Sequence, residues 1–299
     1  MEERAKLEEL AARLEQNEDY RVLRRLKPLD RYEADPGDDT EKKIGVFLDT
    51  ETTGLKHESE RVIELALVPF EFSSDGRIYR VFEAFDQLQD PGREIPRKVV
   101  ELTGITDSMV AGKKIDRPQV ASVVENAAVI IAHNARFDRP FVESEFPVFE
   151  DKAWACTDSQ IPWDEEAIGS RKLEYIASRY GFFFDGHRAV TDCLAAIHIL
   201  AQQLPVSGQP ALKVLLDRAR QTTCRVWAVD SPFDLKDRLK SRNYRWNNGE
   251  DGRYKAWYRD VDESECDAEL EFLRKEIYAR DMNPPVDRIN AFKRFSKRI

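Results

Sequence analysis

Ile44-Gly-Val-Phe-Leu-Asp-Thr-Glu-Thr-Thr-Gly-Leu55 is the stretch on which the fold turns. Its opening residues read as a buried strand, and the strand ends in two acids, Asp49 and Glu51. Side chains two apart on an extended backbone point the same way, so both carboxylates can converge on one cation. Ionised acids at the end of a core strand need cations or hydrogen-bond donors nearby. Taken alone, an Asp-x-Glu at a strand end fits a solvated loop equally well.

Two further segments have the same construction. Val129-Ile-Ile131 is a second buried strand, followed by Ala132-His-Asn-Ala-Arg-Phe-Asp138. Asp138 falls in the first turn of the next helix, where the helix dipole by itself favours an acid. Gly186-His-Arg-Ala-Val-Thr-Asp192 puts His187 before a helix and Asp192 on its first turns. By itself that pair is a capping histidine and a surface acid. Together the three segments supply four carboxylates and one histidine, the inventory of two-metal phosphoryl transfer. Hard divalent ions such as Mg²⁺ or Mn²⁺ prefer oxygen ligands. Two of them ~3.5–4 Å apart activate the attacking water and stabilise the leaving oxygen. Histidine, ordinarily titrating near ~6.5, can take the proton from that water.

Asp-x-Glu, then His-Asn-x-x-Phe-Asp, then His-x-x-x-x-Asp resembles the DEDDh signature of DnaQ-like 3′–5′ exonucleases, over roughly residues 40–205 and with all five positions present. The resemblance implies two Mg²⁺ or Mn²⁺ ions. Asp49 would bridge both, Glu51 and Asp192 would complete one, Asp138 would hold the other, and His187 would be the general base. Arg188 stands where tyrosine-type relatives carry Tyr, which assigns the chain to the histidine class. The resemblance also implies substrate contacts. Thr50, Thr52, Thr53 and Gly54 would line the 3′-terminal nucleotide, with Leu55 wedged against its base. Leu102-Thr103-Gly104-Ile105 matches a second element that touches this nucleotide, although Gly104 reads equally as a helix C-cap. Asn134 is a weaker contact, with capping as the plainer role. The expected substrate is the 3′ end of a single strand, DNA ahead of RNA, released as nucleoside 5′-monophosphates, with a polymerase or repair complex as partner. An RNA 3′-end trimmer and a non-catalytic module that binds nucleic acid or a polymerase are the alternatives.

Around these motifs the sequence predicts an α/β fold: a ribonuclease H-like mixed five-stranded sheet flanked by helices, with a small α+β C-terminal domain. Strands are expected over 44–48, 61–72, 78–85, 128–132 and 153–156. A Ser-Ser-Asp-Gly turn at 73–76 separates the second from the third. Helices are expected over 97–102, 117–126, 139–145, 171–180 and 188–204. Residues 1–40 read as a helical extension and linker, the helix running over 1–26 and docking through Leu7, Leu10 and Leu14, with a connector at 34–42. The exonuclease domain is expected over 41–207 and the C-terminal module over 208–299, divided at Pro205-Val-Ser-Gly-Gln-Pro210.

Composition narrows the class. No stretch approaches the ~18 apolar residues of a membrane span, the first ten residues carry no signal core, and Cys156, Cys193, Cys224 and Cys266 are too scattered for a disulfide framework or a zinc site. A cytoplasmic protein with buried thiols is expected. The net charge is −9, yet residues 211–299 carry 20 lysines and arginines against 16 acids. That module interleaves bases with aromatics, as in Arg225-Val-Trp227, Tyr244-Arg-Trp246 and Trp257-Tyr258. Such a pattern serves a single-strand-binding surface or the core of a small domain.

Overall fold

A computed structural model describes residues 2–34 and 40–298. The chain divides into two units, Met1–Leu216 with Phe295–Lys297, and Asp217–Arg294 with Arg298–Ile299.

The first unit begins with helix α1 (Glu2–Glu15) and the two-residue strand β1 (Arg24–Arg25). Helix was expected as far as residue 26. It stops at Glu15 because the Asn17 side chain captures the Asp19 amide at 3.0 Å, a local turn that competes with the helix. The chain then extends, and β1 pairs in parallel with β8 (Phe182–Phe183). Leu7, Leu10 and Leu14 are exposed, so the expected docking through them is not seen. The connector expected at 34–42 falls largely on residues 35–39, outside the described residues.

The central sheet contains β2 (Lys42–Thr52), β3 (Val62–Ser73), β4 (Ile78–Val81), β5 (Phe85–Leu88), β6 (Ala127–Ala132) and β7 (Trp154–Cys156). Its order is β4-β3-β2-β6-β7, with β5 also on β3. β3 is antiparallel to β2, whereas β6 runs parallel to β2 and β7 parallel to β6. The sheet is mixed, as expected, but among the described residues it has six strands rather than five. The single strand expected over 78–85 is two, both paired along the 12 residues of β3, with Val81 opposite Phe70 and Phe85 opposite Leu67.

Helices α2 (Arg97–Thr103), α3 (Asp107–Val110), α4 (Arg117–Glu125), α5 (Ala135–Glu145), α6 (Thr157–Gln160), α7 (Leu173–Arg179) and α8 (Ala189–Leu200) complete this unit, which α9 (Ala211–Arg220) enters. Alternation along β2 separates two layers. Val46 and Leu48 join a core with Val124, Phe141, Phe149 and Trp154 on the side of α4 and α5. The intervening residues of β2 share the other face, where α8 packs against β2 and β3 and the Cys193 thiol donates to the Phe47 carbonyl. Ile63, Ile95, Ile105 and Val110 form a smaller core that anchors α2 and α3.

The second unit holds an antiparallel sheet of order β10-β11-β9-β12, built from β9 (Thr223–Ala228), β10 (Arg245–Trp246), β11 (Trp257–Asp262) and β12 (Val286–Ile289). Helix α10 (Lys236–Ser241) and helix α11 (Cys266–Phe272), which runs on into a π-helical turn at Leu273–Tyr278, supply its core. β12 follows two prolines, Pro284 and Pro285.

Candidate active site

The site grows from the end of β2. Asp49 and Glu51 share its α8 face, and α8 brings Asp192 to them. Ligand oxygens of these three residues all lie within 4.8 Å of one another. Thr50 points the opposite way, and its hydroxyl donates to Asp138 Oδ1 at 2.7 Å, so the acid of α5 reaches the site from the other side of the strand. Asp138 is 2% exposed. It belongs to no close trio with the others, yet its charge is the largest of those acting on Asp49.

Carboxylates gathered this closely raise one another's proton affinity. Burial, then the charges of Asp138, Asp192, Glu51 and Glu64, push Asp49 well above the ordinary carboxylate range. Burial followed by Asp192 and Glu64 pushes Glu51 up to about 8. Asp138 rises to about 7 through burial, with the Thr50 hydroxyl opposing, and Asp192 to about 7 through burial, with the Arg188 amide opposing. An all-oxygen set this charge-rich is suited to hard divalent cations.

His187 stands on the loop before α8 with φ of 63°, a left-handed backbone that side chains seldom adopt. Its imidazole is exposed, with Nε2 at 3.8 Å from Glu174 Oε1. Asp49, Asn134, His187 and Asp192 all line one cavity of about 550 Å³. Asn134 is exposed there, makes no side-chain cap to α5, and lets its carbonyl accept from the Phe137 amide at 2.7 Å. Neighbouring His133 is pinned between the Thr157 hydroxyl and the Arg171 carbonyl, and burial lowers its proton affinity.

The remaining expected contacts divide by exposure. Leu55 is 84% and Leu102 55% exposed, apolar side chains left open at the surface. Thr52, Thr53 and Thr103 are buried. Thr52 donates to the Gly54 carbonyl at 2.6 Å, and Thr53 sits between Glu60 and Arg93. A Cβ on Gly54 would come within 2.9 Å of the Glu60 side chain. Gly104 caps α2 at φ 71°, as the C-cap reading requires.

Two residues at the site, Glu64 and Glu174, were not singled out in the sequence, and Arg188 was noted there only for standing where relatives carry Tyr. Glu64, wholly buried on β3 directly opposite Glu51, accepts two bonds from the Arg188 guanidinium at 2.8 and 3.0 Å and one from the Ala189 amide at 3.0 Å. It thereby fixes the start of the helix that carries Asp192. An acid inside the apolar run Val62-Ile-Glu-Leu-Ala was a legible signal. Arg188 is Glu64's partner. Glu174 gives no such signal, since it sits among ordinary charged positions on α7.

The family model described as Exonuclease, RNase_T, matches residues 46–200, more than half of the chain. This chain belongs to the DnaQ-like exonuclease family. Among its curated relatives, the PolC-type DNA polymerase III of Lacticaseibacillus paracasei is 34% identical over 201 residues, which is 62% of this chain and 13% of that protein. The PolC-type DNA polymerase III of Clostridium perfringens is 33% identical over 162 residues, 52% of this chain and 11% of that protein. The chain thus spans only a small fraction of the length of these relatives. A zinc-bound form of E. coli exonuclease I in complex with single-stranded DNA superposes with a TM-score of 0.51 at 16% identity, covering 85% of this chain and 66% of that one, a likeness of fold. Among the described residues of this family member, no helix is long and apolar enough to cross a membrane.

Proposed function

We propose that this chain removes nucleotides from the 3′ end of single-stranded nucleic acid, DNA in preference to RNA, and releases nucleoside 5′-monophosphates. The observation that carries the reading is the convergence of Asp49, Glu51 and Asp192, with Asp138 acting on Asp49 from the far side of β2. Two Mg²⁺ or Mn²⁺ ions would suit these donors: Asp49 would be shared, Glu51 and Asp192 would hold one ion, and Asp138 the other. When bound, such ions make the attacking water more acidic and stabilise charge on the leaving 3′-oxygen.

The chain's own groups do the rest. His187 is the general base, taking the water's proton on Nε2. Its Nε2 stands 3.8 Å from Glu174 Oε1, beyond hydrogen-bond range, so no acid holds the ring away from the cavity. Glu64 and Arg188 orient the loop on which His187 rides. Thr50 holds Asp138 in one orientation. Leu55 and Leu102, both exposed, would pack against the terminal base, where burial on binding is worth about 25 cal/mol per Å² of apolar area. The similarity to PolC-type DNA polymerase III favours DNA as substrate and a polymerase or repair assembly as partner.

A 5′-labelled oligonucleotide incubated with Mg²⁺ tests the reading. Wild type should shorten it stepwise, and Asp49→Ala should be slower by about a thousandfold or more. Equal degradation by both proteins would overturn it.

A further inference from the structure

The C-terminal sheet uses one face for its core and decorates the other. Cys224, Val226 and Ala228 of β9 pack with Val261, Leu239 and Leu273. The alternate residues emerge opposite, where register places Arg225 beside Asp260 and Asp287, and Trp227 beside Tyr258. Trp227 lies beneath two tyrosines, with centroids 5.4 Å from Tyr254 and 5.2 Å from Tyr258, and its Nε1 donates to Asp287 at 2.7 Å. Arg225 is fixed over the Tyr258 ring at 4.7 Å by paired bonds to Asp260 at 2.7 and 3.0 Å. Tyr254 nevertheless remains 46% exposed. The result is a rigid aromatic platform with an open ring.

Next to it, at the β12 edge, is a cavity of about 830 Å³ lined by Arg253, Tyr254, Asp287, Arg288, Lys293 and Arg298 among others. Four cations and one carboxylate, Asp287, are among its lining residues; Asp287 already accepts from Trp227, and Arg253 has Asp251 at 3.8 Å. Arg288 pairs with Glu263 at 3.1 Å while its side chain stays 68% exposed. Burial, then the charge of Arg225, holds Arg253 below the usual guanidinium range, with Asp251 and Asp287 opposing.

We propose that this cavity and the Tyr254 platform form a binding site for a single-stranded oligonucleotide, separate from the carboxylate site. Phosphates neutralise the cations and a base stacks on Tyr254. An acidic peptide would satisfy the charges but leave the platform unused.

The test uses the full chain carrying Asp49→Ala in EDTA, so that neither cleavage nor cation-bridged binding at the carboxylates contributes. Fluorescence anisotropy with a labelled oligothymidylate reads the affinity. Arg288→Glu with Lys293→Glu should weaken binding by about tenfold or more and lower the salt slope by about two. Tyr254→Ala should weaken binding by about tenfold with the salt slope unchanged. Lys275→Glu, on the π-helical turn, should leave the affinity unaltered, and thermal melts identify any variant that has lost its fold. Affinity within twofold of the parent for both the charge-reversed and the Tyr254 variants overturns the proposal. So does binding of oligoglutamate or of inorganic phosphate as tight as that of the oligonucleotide. In the Asp49-containing protein, the charge-reversed pair should still hydrolyse the 4-nitrophenyl ester of thymidine 5′-monophosphate at the parent rate, so failure of this site and failure of the exonuclease reading are told apart.

Discussion

Asp49 carries the heaviest electrostatic load in the cluster, pressed by burial and by four neighbouring carboxylates. The consequence for stability has a definite sign. Glu51 at about 8, with Asp138 and Asp192 at about 7, lie above the ~4 of unfolded carboxyls. Between those values the native state holds more protons than the unfolded one, so metal-free stability falls as pH rises from about 4 to 8. A divalent cation takes the place of these protons, and competition with them fades as pH rises. Mg²⁺ should therefore raise Tm more at about pH 8 than at about pH 5, and melts in EDTA and in Mg²⁺ at both values check it. Equal increments would contradict the assignment. His187 gives a contrasting signature. His187→Ala should lower kcat by about 10²–10⁴-fold, while Mn²⁺ affinity by calorimetry changes little, because the proposed role of the imidazole is to accept a proton and not to ligate. Unchanged turnover would remove it from the reaction.

At the scale of elements, the joint between β3 and α8 decides where Asp192 and His187 stand. Glu64 is buried in the strand, and its three accepted bonds end at Arg188 and Ala189, the residues that open the helix. Glu64→Gln keeps the volume but loses part of that acceptor capacity. It should cost about 1–3 kcal/mol of stability and lower kcat more than it raises KM, measured by melts and by steady-state cleavage. A variant with wild-type stability and turnover would show the clamp to be dispensable. The elements that carry chemistry were legible because an apolar run seldom ends in ionised acids unless a cation or a donor meets them there. β2, β6 and α8 all lie where the patterns of 44–48, 128–132 and 188–204 put them, within a few residues. What escaped was tertiary. Glu64 lies inside a run that reads simply as strand, and its meaning appears only when β3 pairs with β2 and sets it against Glu51. Likewise, Phe82-Glu-Ala84 interrupts the strand expected over 78–85 without any glycine or proline to announce the break.

For the whole molecule, an acidic chain acting on a polyanion is consistent only if its carboxylates are concentrated where cations sit, while cations elsewhere meet phosphate directly. The chain carries a net charge of −9, with its acid excess before residue 211 and its basic excess after it. The order of motifs was readable over the exonuclease unit because each motif is short and local. The C-terminal unit was harder, since the same Trp and Tyr residues serve core and surface, and only strand register separates Trp257 on the core side from Tyr258 on the other. The most direct measurement is a crystal structure of the protein soaked in Mn²⁺, with anomalous difference density calculated at the metal edge. The expected result is two peaks at the end of β2, one within bonding range of Asp49, Glu51 and Asp192 and the other reached by Asp49 and Asp138. Density absent from that place, or present only at other carboxylates, would contradict the central claim.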